Sequence, residues 1–217
     1  YGIYFPPGPP NIPGEDFSTN VSSLAPAEVV LGQIIVFYAK LEATHVAPSS
    51  QSISYRVRWC TKTTNGSDFG YDESYGVINA FVDTGDSNYS GDSHENVSYS
   101  WSIDPNGCGT GNPGIVGVFV VSDVDQNEAI VVDMWLVLEQ EIPPDTSGNV
   151  QSKLLSAKEE ETDQSIYIGA QTIPLQKVQQ FFNYADLEIL KSDSPDPVTQ
   201  GQTLTYTISV NNIGAAT

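Results

Sequence analysis

Through most of the chain apolar and polar residues alternate with a period of two, the spacing at which successive side chains of a β-strand point to opposite faces. The stretch "SISYRVRWC" shows the pattern plainly: Ile53, Tyr55, Val57 and Trp59 share one face, and Arg56, Arg58 and Cys60 share the other. Six such runs follow one another between residues 28 and 142: "EVVLGQIIVFYAKLEAT", "SISYRVRWCTKT", "YGVINAFVDT", "NVSYSWSID", "GIVGVFVVSD" and "AIVVDMWLVLEQEI". They are separated by clusters of Gly, Pro, Asn, Asp and Ser, which end strands and form turns. That spacing predicts an all-β fold, an antiparallel β-sandwich over residues 28–142. The first and last runs are apolar on both faces. In "AIVVDMWLVLEQEI", Ile130, Val132, Met134, Leu136 and Leu138 form one face while Val131, Trp135 and Val137 form the other. A strand buried on both sides needs a third layer, from a partner subunit or from the chain's own remainder.

The flanks read differently. Residues 1–27 form a Pro- and Gly-rich extended arm with five prolines among the first 13 residues, and proline excludes both a helix and a central strand. Its Tyr1, Ile3, Tyr4 and Phe5 are apolar enough to lie on a surface, the chain's own or a neighbour's. At residues 143–149 "PPDTSGN" marks a break, and residues 143–184 read as a linker or crossover. Within it "VQSKLLSAKEEETDQ" has modest helix propensity, "SIYIGAQTI" is a short strand, and "PLQKVQQFFNY" is a helical turn with Val178, Phe181 and Phe182 on one side.

The chain closes with "ADLEILKSDSPDPVTQGQTLTYTISVNNIGAAT". Leu187 and Ile189 alternate, Pro195 and Pro197 end that strand, and Gly201 permits a tight turn. Leu204, Tyr206, Ile208 and Val210 then line one face of the next strand. With its Ala185, Asp186 and Leu187 opening, its Lys191 to Pro197 turn, its Gly201 and Gln202 pair and its Asn211, Asn212 and Gly214 turn, this segment resembles the beginning of the immunoglobulin-like conserved repeat. That repeat, a domain of unknown function, occurs in tandem in bacterial and archaeal cell-surface proteins. The resemblance covers only residues 185–217, about a third of the roughly 100 residues such a sandwich needs. It implies an exported, surface-displayed, modular protein with a structural or adhesive role, and it carries no catalytic residues. Three arrangements would complete the segment: the continuation of a longer protein, pairing with another subunit, or a hairpin folded back on its own sandwich.

Charge narrows the partners. The 217 residues carry 8 Lys and Arg against 27 Asp and Glu, a formal net charge of -19, which repels phosphate backbones and anionic lipid. Nucleic acid is therefore excluded as a partner. No apolar stretch approaches the roughly 20 residues that span a bilayer. The opening "YGIYFPPGPP" carries no basic, apolar leader, so the chain reads as a processed product that works outside the cytoplasm. The acids gather in loops. In "SDVDQNE" oxygen-bearing residues alternate as in the first half of a Ca²⁺ loop, without its glycine or its distant bidentate Glu. Asp83, Asp123 and Asp125 are the candidate ligands for a structural Ca²⁺, and no other cofactor is required. Solvated turn acids are the plainer alternative.

Cys60 and Cys108 match no zinc or redox spacing. Cys60 lies on the more polar face of its strand and Cys108 in the turn-rich "DPNGCGTGNPG", so a disulfide would staple that loop across the outside of the sheet. Asn20, Asn65, Asn88 and Asn96 each begin an Asn-X-Ser sequon, the acceptor for N-glycosylation. The two histidines, His45 and His94, have no nucleophile elbow beside them, and no phosphate-binding glycine loop follows a strand, so an enzyme is not expected. Tyr55, Trp59, Tyr71, Tyr75, Tyr99 and Trp101 could stack on sugars, although their alternation fits core packing better.

Together these features predict a structural subunit of an extracellular filament, sheath or surface layer built from copies of itself. Ile3, Tyr4 and Phe5 of the arm and Leu204, Tyr206, Ile208 and Val210 of the tail are the expected inter-subunit contacts. A glycan-binding adhesin, or the binding module of a larger secreted protein, is the alternative.

Overall fold

A computed structural model of the chain describes residues 1–4, 20–42, 50–169, 171–183 and 187–212. Its strands are β1 (Gly2–Tyr4), β2 (Asn20–Val21), β3 (Ile34–Glu42), β4 (Gln51–Cys60), β5 (Val77–Val82), β6 (Asn96–Asp104), β7 (Gly114–Val124), β8 (Ala129–Val137), β9 (Val150–Glu159), β10 (Ser165–Ile166), β11 (Thr172–Leu175), β12 (Leu187–Ser194) and β13 (Thr205–Asn212). Each of the six runs expected between residues 28 and 142 holds one of the strands β3 to β8. Alternation identified them because most have a face to bury; β6 is the exception, with Tyr99, Trp101 and Ile103 exposed along it.

The strands make an antiparallel β-sandwich. One sheet has the order β2-β1-β3-β8-β5 and the other β10-β9-β4-β7-β6, with β11 also paired to β9. Tyr55, Val57 and Trp59 of β4 and Ile115, Phe119 and Val121 of β7 turn inward to meet Ile35, Phe37, Met134 and Leu136 of the facing sheet, and all are buried. Aromatic rings fill the middle. Phe119 stacks on Tyr55 with centroids 5.0 Å apart, and Trp59 meets Phe37 edge-on at 5.7 Å. A methyl group on Gly117 would lie 2.6 Å from the Phe119 ring, so only glycine leaves room for it there.

Of the expected arm and linker, the described residues up to Val178 belong to the same compact unit as the sandwich. A single compact unit runs from Tyr1 to Val178, and a second from Gln179 to Thr217. β1 is an internal strand between β2 and β3, formed before the first proline. β9 lies next to β4, turning Val150, Ser152, Leu154 and Ala157 inward. Lys153, Leu155 and Lys158 favour a helix as isolated residues, but the pairing offered by β4 outweighs that preference of a few tenths of a kcal/mol per residue. The helical turn does form, as a 3₁₀ segment over Val178–Asn183, with Val178 buried.

Both faces of β8 are largely buried, and on the outer face of β3 Val36 is buried while Lys40 is exposed. Val36, Val131 and Val137 face away from the sandwich core, and none is more than 7% exposed. Among the described residues Tyr4 and Asp86 help cover this outer surface, with the Tyr4 ring 4.9 Å from that of Tyr38.

In the second unit β12 and β13 form an antiparallel hairpin in which Ile189 pairs with Val210 and Lys191 with Ile208. One face carries Ile189, Tyr206, Ile208 and Val210 together with Lys191, whose ammonium lies 4.2 Å from the Tyr206 ring centre, and Asp193; the other carries Glu188, Ser192, Thr207, Ser209 and Asn211 around Leu190.

Cys60 and Cys108 are joined, with Cα atoms 5.7 Å apart. The bond holds the β6–β7 loop against β4, where Arg58 also donates to the Gly107 carbonyl and Thr61 N–H to that of Pro113. Closing a loop across a separation of 48 residues removes chain entropy from the unfolded state. Replacing both cysteines with serine is expected to cost roughly 4 kcal/mol and to lower the melting temperature by about 10 °C. Calorimetry of the variant with the loss of less than about 2 °C would show that the loop is held by its hydrogen bonds alone.

Candidate functional site

The most unusual chemistry lies on the outer face of the β8 sheet. Asp133 sits at the middle of β8, paired with Tyr38 of β3 on one side and Phe81 of β5 on the other. Period two places its carboxyl on the same face as Val131 and Trp135. Asp83 follows β5 directly and is tied to β8 by its N–H, which donates to the Val131 carbonyl at 2.8 Å. Asp86 comes from the turn beyond, where its Oδ1 accepts from Asn88 N–H at 2.7 Å. Asp83 and Asp133 are 0% exposed and Asp86 6%. The first strand reaches them: the Tyr4 hydroxyl donates to Asp86 Oδ2 at 2.5 Å.

Burial and crowding decide the protonation of this group. Loss of water, then the charges of Asp83 and Asp86, push the Asp133 carboxyl up to about 8, against a hydrogen bond from Tyr4 that favours the charged form. Burial, followed by the surrounding carboxylates, raises the Tyr4 phenol well above its usual range, so Tyr4 stays a proton donor. The arrangement stores protons and fastens β1 to the sheet.

A second acidic group forms where the β7–β8 turn meets the loop before β6. Asp92, Glu95 and Glu128 each bring an oxygen within 4.8 Å of the others, an arrangement able to hold a cation. Protein donors already serve it, with Tyr89 O–H on Glu95 at 2.7 Å and Asp125 N–H on Glu128 at 2.7 Å. His94 is exposed and pairs with Asp92 at 3.0 Å, which raises its pKa. The candidate ligands therefore separate. Asp83 belongs with Asp86 and Asp133, while Asp123, near the end of β7, accepts from the Ser50 hydroxyl and Asp125 lies just beyond that strand. Asp133 is the residue that alternation alone passed over. Its signal was a lone acid inside a run apolar on both faces.

Of the glycosylation candidates Asn65, Asn88 and Asn96 are exposed, and Asn20 lies on β2. Tyr55, Trp59 and Tyr71 are core residues, whereas Tyr75, Tyr99 and Trp101 are between 39% and 49% exposed. Among the expected contacts Ile3 and Tyr4 are buried in their own sheet at 0% and 1%, because β1 pairs with β3 of the same chain. Phe5 and His45 fall outside the described residues. Leu204 is half-buried just before β13, and Tyr206, Ile208 and Val210 are exposed along it. No helix among the described residues is long and apolar enough to cross a membrane. Neither a scan of protein-family models nor searches of the curated proteins and of solved structures found a match.

Asp133 makes stability depend on pH with a definite sign. Below about pH 4 its carboxyl is neutral in the folded and unfolded chains alike. From there up to about 8 the unfolded chain releases a proton that the folded chain retains, so stability falls as pH rises and levels off above the folded value. Half-buried Glu139, pushed up to about 7 mainly by burial, acts in the same direction. The melting temperature is expected to drop between pH 5 and pH 8, and Asp133→Asn to raise it at pH 8 by roughly 5 °C or more while flattening the slope. A profile that instead rises across this range, followed by circular dichroism, would contradict the assignment.

Proposed function

We propose that the chain is a non-enzymatic structural subunit of an extracellular filament, sheath or surface layer, joined by strands that pass between copies. One observation carries this reading: Ile189, Tyr206, Ile208 and Val210 share one face of the β12–β13 hairpin and are between 54% and 65% exposed. A two-stranded hairpin is marginal in water, and an apolar face on it gains stability only when another layer covers it. Strand addition between chains supplies that layer along with backbone hydrogen bonds. The resemblance of this segment to a cell-surface repeat agrees with the role, as does a disulfide, which belongs to an oxidising compartment. Exchange of the first strand would use the β1 seat, with a neighbour's Ile3 and Tyr4 entering in place of the chain's own. Structural Ca²⁺ is compatible with this role but is not needed for it.

A second reading, glycan binding, rests on Tyr75, Tyr99 and Trp101. They are partly exposed, and Gly76, whose Cβ would lie 2.3 Å from the Trp101 ring, leaves room for that ring. Sugar binding abolished by Trp101→Ala would favour it. For the structural role, electron microscopy of the native, undenatured protein is expected to show ordered filaments, tubes or sheets whose repeat fits one subunit. Isolated particles at high protein concentration would overturn it.

A further inference from the structure

The chain's few cations collect on the outward face of the sheet that holds β4. Register sets two neighbouring rows across its strands: Ser156, Arg56, Val118 and Ser100 stand side by side, and next to them Lys153, Arg58, Val116 and Ser102. The alternate residues Tyr55, Val57 and Trp59 are buried in the core, so these rows face outward. Three of the eight Lys and Arg residues therefore share one patch, with Lys153 directly opposite Arg58. Arg56 and Arg58 are about 7 Å apart along the strand.

Like charges directly opposite one another across a sheet cost stability unless an anion lies between them. The chain has 27 acids, yet none answers this patch. In the adjoining row Lys158, opposite Ser54, holds Glu160 at 3.3 Å and Asp163 at 2.8 Å. Past that row Arg58 donates to the Gly107 carbonyl, and the side chains of Arg56 and Lys153 have no hydrogen bond or ion pair among the described residues. Val118 and Val120 lie half-buried beside them. A flat face with arginines and valines at its centre and serines on its flank has the composition of a protein contact whose acidic half is missing.

That half is present elsewhere on the same compact unit. Asp68, Glu139 and Glu141 line one hollow with Ile142 and Pro143, and the Glu139 carboxyl also feels Asp72 and Glu73, whose charges add to burial in pushing it up to about 7. One cation, Lys62, reaches this group, 3.4 Å from Asp68. Glu73 and Glu141 are exposed, and among the described residues their side chains have neither a hydrogen bond nor an ion pair. The acids at the β7–β8 turn are the poorer match, since Asp92 already pairs with His94 and Glu95 already accepts from Tyr89.

Resting on the assembly reading above, we propose that the outward face at Arg56, Arg58 and Lys153 docks the acidic group of a second copy of the chain. Glu73 and Glu141 of the incoming copy enter between the cations, and its Ile142 and Pro143 cover Val118 and Val120. Every copy has one face and one acidic group, both in the unit Tyr1–Val178, so the contact is head to tail and propagates.

The test uses full-length chains in two charge-reversed forms, Arg56→Glu with Lys153→Glu, and Glu73→Lys with Glu141→Lys. Each form alone is expected to lower sedimentable polymer about tenfold or more, with a melting temperature within about 3 °C of the native chain's. Mixed in equal amounts they are expected to regain it, because the reversed face of one form fits the reversed acids of the other. In native material, carbodiimide coupling of mixed isotope-labelled and unlabelled chains is expected to join Lys153 to Glu73 or Glu141 in peptides of mixed label, a readout that needs no variant to fold. Native polymers that lack this link, or that survive reversal of the face, overturn the contact and leave the assembly reading standing. A mixture that stays unassembled also overturns it, and binding of a polyuronate by the native face but not by its reversed form then assigns the face to an anionic glycan. Native chains that remain monomeric by sedimentation and microscopy overturn both.

Discussion

The constraint on which the structure turns is the double burial of β8 and its partner β3. Ile130, Val132, Met134 and Leu136 go to the sandwich core, and Val131 and Val137 go to the opposite surface. Neither set tolerates water, since each large apolar side chain left exposed forgoes about 1.5–3 kcal/mol. A two-layer sandwich satisfies only one of them. The first strand joins the same sheet beside β3, with Ile3 in the core and the Tyr4 ring packed on Tyr38 at the outer face.

That arrangement explains the buried acids. A carboxylate placed on a surface that is then covered must be protonated, paired or strongly hydrogen-bonded. Asp133 meets the condition by holding its proton to about pH 8, and Asp86 by accepting from Tyr4. The tyrosine thereby does two things at once. Its ring packs on Tyr38 and its hydroxyl answers a buried charge, which makes the seating of β1 specific rather than only apolar.

Elsewhere apolar side chains stay in water. On the β12–β13 hairpin Ile189, Tyr206, Ile208 and Val210 share a face with Lys191 and Asp193 and are all exposed. Soluble proteins ordinarily blunt such features with charge, proline or a covering loop. Here the strand that would be expected to carry charge, Thr205–Asn212, has none, in a chain where acids outnumber bases by 27 to 8. The neutral strand with its exposed apolar side chains is what the proposed self-association would use.

Local pattern carried much of this. The strands β3 to β8, the inward set Tyr55, Val57 and Trp59 and the Cys60–Cys108 staple were all legible, because alternation and turn residues act within a few positions of each other. β9 was not, since Lys153, Leu155 and Lys158 favour a helix until β4 supplies a partner. Nor was the grouping of acids. Asp83, Asp123 and Asp125 look alike along the chain, yet Asp83 is buried with Asp133, fifty residues away, while the other two lie at the end of β7 and just past it. The sequence by itself determined which residues face which way along each strand, because that depends on a repeat of two. Only the tertiary structure decided which strands are neighbours and which charges share a dry space, because those depend on contacts between residues far apart in the chain.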